Sequence, residues 1–390
     1  MIYLDNAATT PLHPRAFEAM LPYLQGSFGN ASAAYGIARQ AQKAIDDARK
    51  SVAAVLHTRP SDVVFTSGGT ESINAALKGV AFAQKKARAG NHIVTTEVEH
   101  HAVLHTSNYL EEFGFDVTYV SVDRDGRVDP EEVARAVTER TVLVSVMLAN
   151  NEVGTIEPVA EVAKLVGERG RQMRHRIPVH TDAVQAPGWL PLDVDALGVD
   201  LLSLSGHKFG GPKGTGVLYI RRGTPYVSQL AGGGQERQRR AGTENVAGIV
   251  GQAVALTLAE ANRESQVQTC MRLRDRLIAA VLAAVPDTRL NGHPTERLAN
   301  NANISFRGVR GDALVKALDK AGFAVSAGAA CGQSTWEPSH VLLAMGLSMS
   351  EAVGGLRLTL SGETTEQDID CLLEALPGAV ASLRSLAAAR

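Results

Sequence analysis

The stretch Val199–Gly216 reads VDLLSLSGHKFGGPKGTG. Its first half is a short run, apolar on both faces, which is the pattern of a strand buried within a parallel sheet. Its second half places Ser205, His207 and Lys208 directly after that run, among glycines and one proline. Between Leu204 and Gly216 no carboxylate stands to pair with the lysine. A lysine in such a turn is ordinarily a solvated surface residue. The reading of Lys208 changes because the segments upstream repeat the same design.

Four further apolar runs precede this one: VVFT from Val63, HIVTT from His92, TVLVSVML from Thr141 and IPVHT from Ile177. Helix-length segments such as DPEEVARAVTER and PVAEVAKLVGERG lie between them. Strand–helix alternation of this kind predicts an α/β fold with a mostly parallel sheet and right-handed crossovers. Ligands of open α/β sheets bind beyond the carboxyl ends of the strands. The residues that follow each run therefore belong to one expected edge. They are TSGGTES (Thr66–Ser72), Glu99 with His100 and His101, Asn150 with Asn151, Asp182 with Gln185, and Ser205 with His207 and Lys208. Each has an ordinary alternative: Asn-Asn as a turn, Asp182 as a cap, His100 as a loop residue. Five consecutive runs ending in chemically able groups are harder to explain that way.

Past residue 243 the texture changes to long helical patterns, TENVAGIVGQAVALTLAEA and MRLRDRLIAAVLAAV. Strand-like NANISFRG, GFAVSAG and GGLRLTLS follow. The expected organisation is a large α/β domain over residues 15–260 and a smaller α+β domain built from residues 1–14 and 261–390. The 390 residues are 45% hydrophobic and 21% charged with a net charge of −2, which argues against a general nucleic-acid or membrane partner. The three cysteines, Cys270, Cys331 and Cys371, are widely spaced and form no CxxC. Neither a disulfide framework nor a metal site is expected, and a reducing, cytoplasmic setting fits. MIYLDNAATTPLHP has neither a basic start nor an apolar core, so no secretory leader is expected.

SGGTE carries its own signal. Two glycines, Gly68 and Gly69, let the backbone approach a ligand closely. Thr70 and Glu71 would then open a helix whose free N–H groups suit a phosphate. The GK[ST] ending of a nucleotide-binding loop is absent. A glycine turn with a threonine cap is the ordinary alternative. A lysine, an acid, an imidazole and a phosphate cradle at one edge suit pyridoxal 5'-phosphate (PLP). That cofactor needs a lysine for its Schiff base and an acid to keep its ring nitrogen protonated.

The chain resembles the cysteine desulfurases, group I, in the class V aminotransferase group of PLP enzymes. The resemblance is carried, in family order, by YLDNAATT, FTSGGTES, EHHAV, NNEVGT, HTDAVQ, SGHKFGGPKGTG and GGGQERQRRAGTEN. It implies the fold type I of PLP enzymes and a homodimer. It also implies roles. Lys208 would hold the cofactor, Asp182 would pair with the pyridine nitrogen, and His100 would stack on the ring and assist as acid/base. Asn151 and Gln185 would bond the phenolic oxygen. Gly69, Thr70, Ser205 and His207 would hold the phosphate, and Thr243 would reach the phosphate of the other subunit. Arg357, with Asn151, would take the substrate carboxylate.

The same resemblance makes Cys331, in SAGAACGQS, the catalytic thiol that accepts sulfur from L-cysteine as a persulfide. The resemblance implies that it would pass that sulfur to an acceptor such as an iron–sulfur scaffold or a thiolation enzyme. Its small, polar neighbours predict a mobile loop; a small buried core cysteine is the alternative. The chain departs from the family at GNASAAYG near Asn30 and around Cys331. About six residues near RQMRHR also look inserted before Asp182. Two competing functions remain at this point. One is a selenocysteine lyase or transaminase on the same fold. The other is a nucleic-acid-binding scaffold, whose support is ERQRR, Glu236–Arg240.

Overall fold

The computed structural model describes residues 1–328 and 338–388. In chain order the strands are β1 (Ile2–Tyr3), β2 (Val63–Thr66), β3 (His92–Thr96), β4 (Asp116–Val120), β5 (Thr141–Ser145) and β6 (Val179–Asp182). They continue with β7 (Leu201–Ser205), β8 (Gly216–Ile220), β9 (Thr288–Asn291), β10 (Asn301–Phe306), β11 (Phe323–Ala324) and β12 (Gly355–Thr359). Seven of them form one sheet in the order β2-β8-β7-β6-β5-β3-β4. Only β8 runs against its neighbours. The fold is thus α/β with a mostly parallel central sheet, and each of the five apolar runs contains one of its strands.

Both faces of that sheet are covered, which is why its strands lack a polar face. Side chains alternate along each strand. Val63 and Phe65, Val144, Leu202 and Leu204 point into one core, shared with Ile45, Val52, Ile249 and Leu256 from helices Gly36–Val55 and Val246–Ala261. Val64, Leu143, Leu201 and Leu218 point into the other, against Ile73, Leu77 and Val80 of helix Gly69–Lys86 and Leu110 of helix His101–Glu112. The reversed β8 and the exposed-edge β4 were absent from the sequence reading. GVLYI of β8 is as apolar as its parallel neighbours, and apolarity carries no direction.

A third core gathers Leu273, Leu277 and Val281 of helix Arg263–Ala284, Ile304 and Phe306 of β10, Leu356 and Leu358 of β12, and Leu372 and Leu376 of helix Glu366–Ala388. Its antiparallel sheet has the order β12-β10-β9. Leu4 is fully buried in this core, far from it in sequence. The N-terminal segment is sewn to it: the Leu4 amide donates to the Ala324 carbonyl and the Thr359 amide to the Leu4 carbonyl. The segment then crosses to the large sheet. There the Thr10 amide and hydroxyl both donate to the His207 carbonyl, and the His13 amide donates to that of Gly210. Residues 1–13 therefore strap the lysine turn from above.

Candidate active site

The carboxyl ends of β2, β3, β5, β6 and β7 meet at a cavity of about 300 Å³. Gly69, Thr70, His100, Asn151, Asp182, Gln185, Ser205, His207, Lys208 and Arg357 all line it. Every site residue expected from the sequence is present except Thr243 and Cys331. Thr243 is exposed, just ahead of helix Val246–Ala261. Cys331 lies within 329–337, outside the described residues.

Lys208 closes a short 3-10 turn, Gly206–Lys208, that ends β7. Its ammonium donates to the carbonyls of Ala7, at 2.5 Å, and Ala8, at 2.8 Å. The sequence offered no sign that two alanine carbonyls would receive the lysine. A backbone acceptor carries no side-chain signature.

Asp182 ends β6 and is 5% exposed. Burial raises its carboxyl to about 6, against the pull of Lys208 and of one backbone hydrogen bond. That bond runs from the Val184 amide to Oδ1 at 2.9 Å, so the ordinary turn-capping role of an aspartate is also real here. Glu99 lies fully buried behind the site. Its Oε1 accepts from the Met147 amide and the Thr96 hydroxyl, while Oε2 has no partner among the described residues. Burial pushes its carboxyl well above the ordinary carboxylate range, with further repulsion from Asp182.

His100 caps helix His101–Glu112, its Nδ1 accepting from the Ala102 amide at 3.1 Å. Burial first, then the charge on Lys208, lowers it to about 4. It is therefore neutral, with Nε2 carrying the hydrogen. A chain of imidazoles continues outward. His101 lies 4.8 Å from His340 and 5.1 Å from His105, ring centre to ring centre. His101, named with His100 at its strand end, also borders the cavity, as do His340, Met147 and Glu152, which the sequence reading did not single out.

Helix Gly69–Lys86 starts at the cavity floor with Gly68 at its cap, so no side chain occupies its first N–H groups. A Cβ on Gly69 would sit 3.0 Å from Val184 Cγ2 and 3.2 Å from Ser205 Cβ. The cavity narrows there to a space that glycine keeps open beside Ser205 and His207. His207 bonds Thr9 at 3.1 Å and is lowered to about 4, by burial and then by Lys208. Arg357 approaches from β12, 2% exposed. It donates through Nη1 to the Asn151 carbonyl and through Nη2 to Asp5, while its buried Nε has no partner among the described residues. The donor set fits a phosphorylated pyridine aldehyde. An amine, a buried acid and an uncapped helix N-terminus converge on one cavity, and a buried arginine with an unused N–H borders it.

ERQRR is committed within the chain. Both oxygens of Glu236 bind Arg49, at 2.6 and 2.7 Å, and one also accepts from the Phe65 amide. Arg239 donates to the Ser61 carbonyl and Arg240 to Glu71. The run is an internal fastener, which removes the support for a nucleic-acid-binding scaffold. No helix among the described residues is long and apolar enough to cross a membrane.

Fold and site together define a PLP-type enzyme. The aminotransferase class-V family profile matches residues 2–372. A cysteine desulfurase IscS of Methanosarcina thermophila is 49% identical over 99% of this chain and 93% of its own length. Among solved structures, a NifS-like protein superposes with a TM-score of 0.88 and 38% identity over the whole of both chains. SspA, solved in complex with cysteine, gives 0.80 and 34% over 94% of this chain and all of its own. The chain belongs to the aminotransferase class-V family and, within it, to the PLP-dependent cysteine desulfurases.

Proposed function

We propose that the cavity converts L-cysteine to L-alanine and delivers the sulfur to Cys331, with the residue roles expected from the sequence. The observation that carries this reading is the meeting of Lys208, Asp182 and His100 with the uncapped start of helix Gly69–Lys86. Lys208 would hold the aldehyde of PLP, Asp182 its ring nitrogen and His100 its face. Asn151 and Gln185 would bond the ring oxygen, and Gly69, Thr70, Ser205 and His207 the phosphate. When bound, the cofactor supplies an electron sink for bond cleavage at the substrate's α- and β-carbons.

The chain's own groups do the rest. Arg357 binds the substrate carboxylate as a charge-assisted pair, its Nε unused until then. Lys208 Nζ takes the α-proton and returns one to carbon. His100, neutral at pH 7, presents its Nε2–H as a donor beside the substrate sulfur and assists proton transfer there. The Cys331 thiolate attacks that sulfur; the C–S bond breaks, an S–S bond forms, and alanine leaves.

The proposal extends to a homodimer in which the exposed Thr243 reaches the partner's phosphate site. It also includes two domains, 15–260 and 1–14 with 261–390, supported by the separate cores around Ile45 and Leu277. The setting is cytoplasmic, and the sulfur acceptor is an iron–sulfur scaffold or a thiolation enzyme. The test is chemical. Borohydride should fix the cofactor on Lys208 of the yellow holoenzyme, and Cys331→Ser should keep the colour while losing sulfide production. Labelling at Lys213, or full turnover by Cys331→Ser, would overturn the assignment.

A further inference from the structure

The inserted stretch before β6 lines a second cavity, at the end of that strand opposite Asp182. It holds about 490 Å³ and is bordered by Arg171, Arg174, His175, Arg176, Val179 and Asp200. We propose that this cavity binds a compact, multiply charged phosphate-type anion.

Helix Val159–Gln172 ends here and the chain turns back at once. The His175 amide donates to the Gly170 carbonyl at 2.9 Å and the Arg174 amide to that of Arg171. A Cβ on Gly170 would lie 2.5 Å from the His175 carbonyl oxygen, so the turn requires a residue without one. Arg174 pays with a left-handed backbone, φ 53°, rare for a side-chain-bearing residue. The His175 ring is pinned to the Thr141 carbonyl at 2.7 Å, which fixes the loop to β5. These restraints fix the backbone that carries three arginines to the border of one concavity.

Only one of the three is neutralised. Arg176 pairs with Asp200 at 2.7 Å, and Asp200 also accepts from the Val179 amide. The guanidinium groups of Arg171 and Arg174 have no acceptor among the described residues. All three side chains are exposed at the rim of the cavity, and the constrained turn sets the backbone positions from which they reach it. Guanidinium offers planar paired donors that match phosphate oxygens. The volume lies in the range of small-molecule pockets, which favours a small free anion over a peptide or nucleic-acid strand.

The test is calorimetric titration of the holoenzyme with inorganic pyrophosphate at fixed ionic strength. Saturable binding of one anion per chain is expected, weakened at least about tenfold in R171A/R174A. The thermal midpoint of the parent chain should also rise in pyrophosphate relative to matched sodium chloride. If the double variant folds poorly, Arg171→Gln is read instead. Unchanged affinity in the variants, a heat that does not saturate at fixed ionic strength, or tighter arginine-dependent binding of an oligonucleotide or acidic peptide would overturn the proposal.

Discussion

Two carboxylates sit equally deep in this protein and serve opposite ends. Glu236, in the turn Gly234–Arg240, is 6% exposed; Asp182, at the end of β6, is 5% exposed. Glu236 is saturated: Arg49 grips both oxygens and the Phe65 amide adds a third donor. That clamp holds a run of three non-glycine residues, Glu236, Arg237 and Gln238, at positive φ. Such strain persists only where surrounding contacts over-determine it. Asp182 accepts one backbone hydrogen bond and faces the cavity with its other oxygen. A buried charge with its donors complete is a fastener. One with a donor missing is waiting for a ligand, and the raised carboxyl of Asp182 records that missing partner.

The sharpest break in the comparison comes at the lysine between them in function. Lys208→Ala should reduce kcat by about 10³-fold or more, because it removes both the covalent anchor and the proton carrier. Its far-ultraviolet circular dichroism and urea midpoint should stay close to the parent's, since the Ala7 and Ala8 carbonyls that accept from Lys208 border the cavity and can turn to water there. A large loss of stability with retained turnover would make Lys208 a strap for the N-terminal segment and nothing more. The fastener should behave in reverse. Arg49→Leu strands the Glu236 charge in the core and should cost about 3–5 kcal/mol in urea unfolding. The fraction that remains folded should turn over cysteine at nearly the parent rate. Catalytic loss without loss of stability would place Glu236 with the site.

The same contrast explains what the sequence disclosed. Asp182, His100 and Lys208 were legible because each falls within four residues of the end of an apolar run, and strand ends are where such sheets bind ligands. The direction of β8 was not legible, since GVLYI looks like any parallel neighbour. Nor was the Arg49–Glu236 clamp, whose partners are 187 residues apart. ERQRR therefore read as a basic cluster rather than as an internal lock. Asn150 and Asn151 divide the two readings their sequence allowed. Asn150 forms the turn by accepting from the Glu152 and Val153 amides, while Asn151 lines the cavity. Adjacent identical residues differ in role because the bend aims one inward at backbone and the other at open space.

The smallest expected effect tests Asp182 as a group waiting for a ligand. In the cofactor-free protein its carboxyl sits at about 6, against an ordinary 3.8. The folded chain thus holds a proton there that the unfolded chain has already lost between pH 4 and 6. A raised folded value contributes stability that is present at low pH and lost as pH rises through about 6. Asp182→Asn lacks this titration. Relative to that variant, the cofactor-free parent should lose on the order of 2–3 kcal/mol between pH 4 and pH 7 and then level off. His100, lowered to about 4, titrates with the opposite sign over the same window, but it does so in both proteins and drops out of the difference. Cofactor should reverse the order, because a protonated ring nitrogen supplies the missing donor and favours the ionised parent. Urea midpoints of both proteins, with and without PLP, across pH 4–8 give the measurement. If cofactor-free Asp182→Asn is the less stable of the two at pH 8, Asp182 is held by the fold as Glu236 is, and the distinction between the two acids fails.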